Sequence, residues 1–287
     1  MIGYIYAVIL AISWSLAAIL YGYSLRHGDA LIVTLIRIYP ALIVTIIATM
    51  LMEPFDIERL LNPYLIYMAI ITGALGILIG SYAYIYAIKN VGVTITYPIA
   101  FSYPLYVSLI TVLMLGEPLS IGLIIGLCLQ LTGIIILSTR NNNSEILHTQ
   151  KGVLAAIIAS IAWTSNAVLV KIALFTAPPV LFALMRLLSL SVLSTPIFLA
   201  RYNKIKEFSN SEILAACIGG ALGIGVGIVL YHLAIMDIGA ARTTIISSSS
   251  PGLSILLALV LLKERPGKRA LLGAILVTIA IMFVILF

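Results

Sequence analysis

The segment GALGI occurs twice in this chain of 287 residues, at 73–77 and again at 220–224. The shift of 147 residues between the copies also superposes Gly80 on Gly227, Pro104 on Pro251 and Glu117 on Glu264. Over the whole comparison of 73–117 with 220–264, 17 of 45 positions are identical. Agreement at a fixed shift over this length indicates a duplicated structural unit.

The duplication extends towards the start of the chain. A shift of 149 residues aligns Trp14 with Trp163 and Arg37 with Arg186, and the difference of two residues falls in a loop. We therefore divide the chain into a first repeat at 1–138, a linker loop at 139–151 and a second repeat at 152–287.

The composition requires a lipid environment. Apolar residues make up 62% of the chain, charged residues only 9%, and the mean hydropathy is +1.20. A soluble domain carries about 25% charged residues, so this chain cannot cover a water-exposed surface. The net charge of +6 would suggest a nucleic-acid partner in a soluble protein. Here the cations lie in loops between apolar runs, and we expect no nucleic acid and a lipid bilayer as partner.

Ten apolar runs, each close to the roughly 20 residues that a helical span needs, lie between charged or Pro- and Asn-containing clusters. They are 2–25, 30–52, 64–88, 92–115, 120–138, 152–174, 179–200, 212–236, 240–262 and 269–287. The sequence thus predicts an all-α integral membrane protein of ten transmembrane helices. Because each repeat has an odd number of spans, the two five-helix repeats are inverted relative to each other, as in many secondary transporters.

Lysines and arginines predict the orientation. Eleven lie in loops after the odd-numbered spans: Arg26, Lys89, Arg140, Lys151, Arg201, Lys204, Lys206, Lys263, Arg265, Lys268 and Arg269. Only Arg59 and Arg242 lie on the opposite side. The positive-inside rule places the loops after spans 1, 3, 5, 7 and 9 in the cytoplasm and both termini outside a cell membrane.

A repeat-related pair of tryptophans suggests a central cavity. Trp14 and Trp163 lie near the middle of their spans, whereas tryptophan usually lies at the membrane interface. Asn166, one turn from Trp163, is a buried amide that needs a polar partner. We predict that all three line a substrate cavity; the alternative is plain helix packing.

Spans 4 and 9 are rich in proline and hydroxyl groups. Pro98, Pro104 and Pro251 should kink these helices because each lacks a backbone donor. The hydroxyl-bearing residues are expected to form a polar cavity wall: Tyr97, Ser102, Tyr103, Ser247, Ser248, Ser249 and Ser250. The alternative is hydrogen bonding between helices, which is worth less than about 1 kcal/mol per contact.

Further residues complete the candidates. Tyr82 and Tyr86 in span 3 are expected to face the cavity. His232 in span 8 is either a packed, hydrogen-bonded residue or a proton carrier. Arg37 and Arg186 are expected to reach the headgroups by snorkelling, with gating or anion binding as the alternative. Glu117 and its repeat equivalent Glu264 are each expected to cap the next helix, with a gate ion pair as the alternative.

Catalytic and metal sites are not predicted. The three histidines form no HExxH motif, there is no GxSxG motif, and no Walker motif is present. Cys128 and Cys217 have neither metal-ligand nor disulfide spacing. Every carboxylate lies at or beyond the end of a span, which disfavours a carboxylate proton relay. We therefore expect no cofactor, no metal and no enzymatic activity.

The ten spans, the GALGI repeats and the endings LGEP and LKERP of spans 4 and 9 resemble the EamA family, a branch of the drug/metabolite transporter superfamily. The resemblance covers essentially the whole chain, although its motifs are diffuse and none names a substrate. It implies efflux or exchange of small metabolites, often amino acids, through a cavity lined by helices 1, 3, 4, 6, 8 and 9. Family members usually keep both termini in the cytoplasm, whereas the lysine and arginine count here argues the reverse.

The function expected from the sequence is therefore a secondary transporter that exports small molecules by alternating access around a midplane cavity. A flippase for lipid-linked substrates is the neighbouring alternative, and an intramembrane enzyme is a weaker one. We also expect that helices 5 and 10 are available for a homodimer.

Overall fold

The computed structural model describes residues 1–25, 29–53, 56–138, 149–261 and 267–287. The predictions for Arg26, for most of the linker and for Glu264 lie outside these residues. The described chain is helical, with no strand in it. Together with the apolar composition of the helices, this confirms an all-α integral membrane protein.

Nine helices within the described ranges are long and apolar enough to cross a membrane, and we number them by their predicted span. They are α1 (Ile2–Ser24), α2 (Leu31–Met52), α3 (Pro63–Ile88), α4 (Ile95–Leu115), α5 (Ile121–Ser138), α6 (Gln150–Ala173), α7 (Pro179–Ala200), α8 (Asn210–Ile238) and α10 (Lys268–Leu286). The predicted span at 240–262 contains two shorter helices, α9a (Ala240–Ser247) and α9b (Ser250–Leu261). A short helix, Ile57–Leu60, precedes α3, and a 3-10 helix, Tyr202–Glu207, precedes α8.

Prolines break the fourth and ninth helices at the same repeat position. The α-helix Ser81–Ala100 joins α3 to α4 and ends just before a second segment, Tyr103–Leu115. Pro104 and Pro251 each follow a break, and each leaves the carbonyl group four residues earlier without its usual partner. The predicted disruption is thus confirmed at these two prolines, whereas Pro98 lies inside a continuous helix.

Two π-helical turns, Ala74–Gly80 in α3 and Ala221–Val226 in α8, occupy the duplicated GALGI segments. The Trp163 indole N–H donates to the Gly76 carbonyl at 3.2 Å, and the Trp14 indole N–H donates to the Gly223 carbonyl at 2.9 Å. Each tryptophan therefore binds the π-helical turn of the other half of the chain. Wider π-helical turns often occur at functional sites.

Glycines allow α5 and α10 to pack closely within the chain. A Cβ atom at Gly133 would lie 2.6 Å from Val277 Cγ2 and 2.9 Å from the Gly273 carbonyl oxygen. The outward faces of both helices keep large apolar side chains exposed, among them Ile124, Ile135, Ile275 and Met282. A homodimer through these faces stays a prediction.

We predict that Gly133→Val lowers the free energy of unfolding by about 1–3 kcal/mol, because the added methyl groups overpack a helix contact formed by backbone. Chemical denaturation in detergent measures the change. Gly22→Ala is the control, since a Cβ atom at Gly22 meets nothing within 4 Å. Equal stability of both variants with the wild type would contradict close packing of α5 on α10.

Candidate functional site

A cavity of about 500 Å³ lies among α1, α2, α3, α4, α6, α7, α8 and α9b. Its wall begins near Arg186 and Tyr231 and extends to Leu25 and Ile88, which lie at the ends of α1 and α3. We call that end of the bundle, where the loops after the odd-numbered spans lie, the cation-rich end. The opposite end is called the closed end.

Eight aromatic side chains line the cavity. They are Trp14, Tyr21, Tyr84, Tyr97, Phe101, Tyr103, Trp163 and Tyr231. The ring centroid of Trp163 lies 5.3 Å from that of Tyr84 and 5.6 Å from that of Tyr103. Rings packed at such distances stabilise one another, so the wall is largely formed before any ligand binds. A wall of this kind suits the apolar or aromatic body of a small molecule.

Five of the aromatic and amide residues predicted to line a cavity do so: Trp14, Tyr97, Tyr103, Trp163 and Asn166. They come from α1, α4 and α6 and meet at the middle of the bundle. The structure thus brings together the tryptophan pair, the nearby amide and both predicted tyrosines of α4. Contact of these five residues with a substrate stays a prediction.

The prediction that Tyr82 and Tyr86 face the cavity is wrong. Tyr82 is 56% exposed on the outside of α3 and packs on Tyr86, with ring centroids 6.4 Å apart. The stripe of α3 that lines the cavity includes Ser81, Tyr84 and Ile88. These residues follow a helical spacing of three and four, and Tyr82 lies one residue away from that stripe.

Four predicted serines do not line the cavity either. Ser248 and Ser249 are buried, and each hydroxyl donates to the Ile245 carbonyl one turn earlier. Ser102 donates to the Ile99 carbonyl at 2.7 Å. Serine hydroxyls in membrane helices commonly bind their own backbone in this way. Ser247 is also buried and donates to the Thr244 carbonyl, whereas Ser250, the last predicted serine of span 9, lines the cavity.

His232 lies behind the cavity wall and is fully buried. Its Nε2 atom lies 2.7 Å from Arg186 Nη1, and its Nδ1 atom lies 3.0 Å from the Pro179 carbonyl oxygen. Arginine has no acceptor, so Nε2 must accept and Nδ1–H must donate. The ring is therefore the neutral tautomer with both nitrogens occupied, and the reading of His232 as a packed, hydrogen-bonded residue fits this geometry.

Arg186 is the central polar group that sequence reasoning misplaced. Its side chain is 2% exposed, and it lines the inner part of the cavity instead of snorkelling to the headgroups. Nη2 donates to Asn166 Oδ1 at 2.8 Å and to the Thr72 carbonyl at 3.1 Å. One guanidinium thus connects α3, α6, α7 and α8.

Arg37, the repeat equivalent of Arg186, also lines the cavity and is 8% exposed. Its guanidinium carbon lies 4.9 Å from the centre of the Tyr21 ring, a cation–π distance. The prediction of snorkelling is therefore wrong for both arginines. The sequence signal that could have identified them is the recurrence of an arginine at one repeat position, two turns inside a span.

Carboxylates hold the closed end together. Glu117, at the end of α4, accepts hydrogen bonds from the Ala240 and Ala241 amides at 2.6 and 2.9 Å, and Lys171 Nζ lies 3.7 Å from it. Glu53, at the end of α2, accepts from the first amides of α7 in the same way. These groups suit a helix N-terminus, where the dipole favours negative charge. Glu117 thus caps α9a, and the prediction that it caps the next helix is wrong.

The cation-rich end has a looser contact. Asp29 accepts from the Leu31 amide at 2.8 Å, and its carboxylate lies 3.2 Å from Lys204 Nζ and 3.7 Å from Arg201 Nη1. Partial burial opposes ionisation, but these hydrogen bonds and positive charges outweigh it and hold the pKa of Asp29 below its usual value. This ion pair joins the start of α2 to the segment after α7.

Comparison with known proteins identifies the family. The model of the EamA-like transporter family matches residues 1–139 and 150–286. The chain belongs to this family. An uncharacterized transporter from Archaeoglobus fulgidus is 24% identical over 217 residues, which cover 76% of this chain and 75% of that protein. A protein with a crystal structure shares the fold of this EamA-like chain with a TM-score of 0.76, at 19% identity, over 99% of this chain and 98% of the other.

We predict that the cavity of this EamA-like transporter is wet and open at one end. In a background in which Cys128 and Cys217 are replaced by serine, Ala18→Cys on the cavity wall should react with a small charged thiol reagent. Ala240→Cys, fully buried under Glu117, should not react under the same conditions. Mass spectrometry of the purified protein in detergent measures both. Equal labelling at the two positions would show that the closed end is not sealed.

Proposed function

We propose that this chain is a secondary transporter that exports small metabolites such as amino acids by alternating access around the central cavity. The observation that carries the proposal is a pair of equivalent hydrogen bonds beside the cavity. In each, the tryptophan of one half of the chain binds the π-helical turn of the other half. Membership of a transporter family and a transporter-named relative support it. Neither specifies the substrate or the direction.

The proposed architecture is ten transmembrane helices in two inverted five-helix repeats, at 1–138 and 152–287, joined by a linker at 139–151. Nine spans in the described ranges, together with α9a and α9b at the position of the tenth, support the number. Repeat-related residues occupy equivalent contacts in the two halves, as the tryptophan hydrogen bonds show. Such pseudo-symmetry gives a transporter two related conformations, each open to one side.

In the proposed cycle, the structure represents the state open at the cation-rich end. The carboxylate caps of α7 and α9a must separate for the closed end to open. We place the cation-rich end in the cytoplasm of a cell and both termini outside it, on the strength of the lysine and arginine count. In this orientation the substrate enters from the cytoplasm.

The proposed substrate contacts are the five predicted residues on the cavity wall. Trp14, Tyr97, Tyr103 and Trp163 offer ring faces to the body of the substrate, and Asn166 offers polar atoms. No carboxylate lines the cavity among the described residues. Because of this, we do not assign a carboxylate proton relay to the cycle.

Trp14→Ala and Tyr103→Ala should each reduce transport by roughly tenfold or more, since truncation of a buried aromatic contact commonly costs about 2 kcal/mol of binding. The measurement is counterflow of radiolabelled amino acids in proteoliposomes, with protein folding checked by gel filtration. Tyr82→Ala is the matched control, because Tyr82 lies outside the cavity and should leave transport unchanged. Normal transport by both cavity variants, or an equal loss in the control, would refute the assignment.

The orientation can be tested in intact cells. In the cysteine-free background, Ile2→Cys should react with an impermeant thiol reagent added outside, whereas Lys206→Cys should react only after the membrane is opened. Both residues are exposed in the structure, and they lie at opposite ends of the bundle. The reverse pattern would place the termini in the cytoplasm and the open cavity outside.

A further inference from the structure

We propose that the transported substrate carries a carboxylate and that Arg186 binds it. The inference rests on the proposed transport function and adds a chemical class of substrate: small organic acids with an apolar or aromatic body. The inference starts from the positive charge of Arg186, which has no counterion in the described part of the chain. The proposed transport function, by contrast, draws on the aromatic residues of the cavity. The carboxylates described above, Asp29, Glu53 and Glu117, bind other groups and form no ion pair with Arg186.

The hydrogen bonds of Arg186 leave donors unused. A guanidinium has five N–H donors, and three of them bind His232, Thr72 and Asn166. The buried Nε atom has no partner. The same bonds leave one N–H of Nη1 without an acceptor among the described residues. Because Arg186 lines the cavity, a carboxylate that enters it can accept from this terminal N–H, whereas the Nε atom is buried away from the cavity.

The charge balance of the cavity points the same way. Arg186 and Arg37 both line the cavity, and Arg37 Nε is also buried without a partner. Among the described residues, no Asp or Glu lines the cavity, and neither arginine forms an ion pair with a carboxylate. The neutral His232 ring, the Asn166 amide and the Thr72 carbonyl supply dipoles only. Charged groups inside a membrane normally pair with opposite charge or with backbone carbonyls. Arg186 binds one such carbonyl, at Thr72, but has no counterion among the described residues, and we assign the missing anion to the substrate.

The other lining residues of the cavity indicate what the rest of the carboxylate-bearing substrate looks like. Aromatic rings from α1, α3, α4, α6 and α8 surround the space beside Arg186, and they suit an apolar or aromatic body. An ammonium group would find ring faces and backbone carbonyls but no carboxylate among the described lining residues. We therefore expect the carboxylate of an amino acid to contribute more to binding than its ammonium group.

The test compares four ligands of one shape on the purified full-length protein: 3-phenylpropionate, L-phenylalanine, 2-phenylethylamine and the neutral 3-phenylpropionamide. Binding is measured by isothermal titration in detergent. We expect the two acids to bind about ten- to a hundredfold more tightly than the amine and the amide, in the range of one hydrogen bond between charged groups. Equal affinity of the amide and the acid, or tighter binding of the amine, would overturn the proposal.

Variants of Arg186 provide the second arm. Arg186→Met should abolish the preference for the acid over the amide, whereas Arg186→Lys should keep part of it because the charge remains. If Arg186→Met does not fold, the four-ligand comparison on the wild type still decides. A preserved acid preference in folded Arg186→Met would contradict the assignment.

Transport of the same four ligands in proteoliposomes separates this inference from the proposed function. Acid-selective binding without flux of any of them would remove the transport proposal and leave the carboxylate site intact. Equal flux of the amine, the amide and the acids would leave transport intact and remove the carboxylate site. Selective flux of the acids, lost in Arg186→Met and kept in Tyr82→Ala, is the result that we expect.

Discussion

The structure depends on one constraint: inside a bilayer, a buried polar group must find its partner within the protein. The indole N–H groups of Trp14 and Trp163 satisfy it by binding the π-helical turns at Gly223 and Gly76. Each bond crosses from one half of the chain to the other. Because both turns lie beside the cavity, the same bonds that join the halves also hold the cavity wall in place.

The constraint explains the difference between the two ends of the bundle. At the closed end, Glu117 and Glu53 accept hydrogen bonds from the first amides of α9a and α7, where the helix N-termini have no backbone acceptors of their own. At the cation-rich end, Asp29 makes a partly exposed ion pair, which is worth little in water. The strong contacts at one end and the weak contacts at the other keep the cavity open towards the cation-rich end.

Arg186 is the place where the constraint is only partly met. Its bonds to Asn166, Thr72 and His232 order four helices, yet its charge has no counterion among the described residues and two of its five donors are unused. A purely structural arginine would be better satisfied by a nearby carboxylate. An arginine that receives a substrate needs to keep a donor available.

The membrane class, the helix positions and the breaks at Pro104 and Pro251 were predictable from the sequence, because span length and proline chemistry act locally. The tryptophans were predictable as cavity residues because the repeat placed two of them at the same depth. The prediction for Tyr82 failed because the direction of its side chain depends on which stripe of α3 packs inwards. The type of a single residue does not determine which stripe this is.

The predictions for Ser102, Ser248 and Ser249 failed for another reason: composition shows that a group is polar but not that its hydrogen bonds are already occupied. Arg186 failed because depth along a helix does not reveal whether a long side chain turns to the interface or to the interior.

The measurement that most directly tests alternating access is a pair of spin-label distances in lipid nanodiscs. One pair, at Tyr23 and Lys151, reports the cation-rich end of α1 and α6; the other, at Ile2 and Phe175, reports the closed end. We predict that a transported ligand shortens the first distance and lengthens the second in the same fraction of molecules. Distances that both stay fixed, or that change in the same direction, would contradict a cavity that alternates between the two sides.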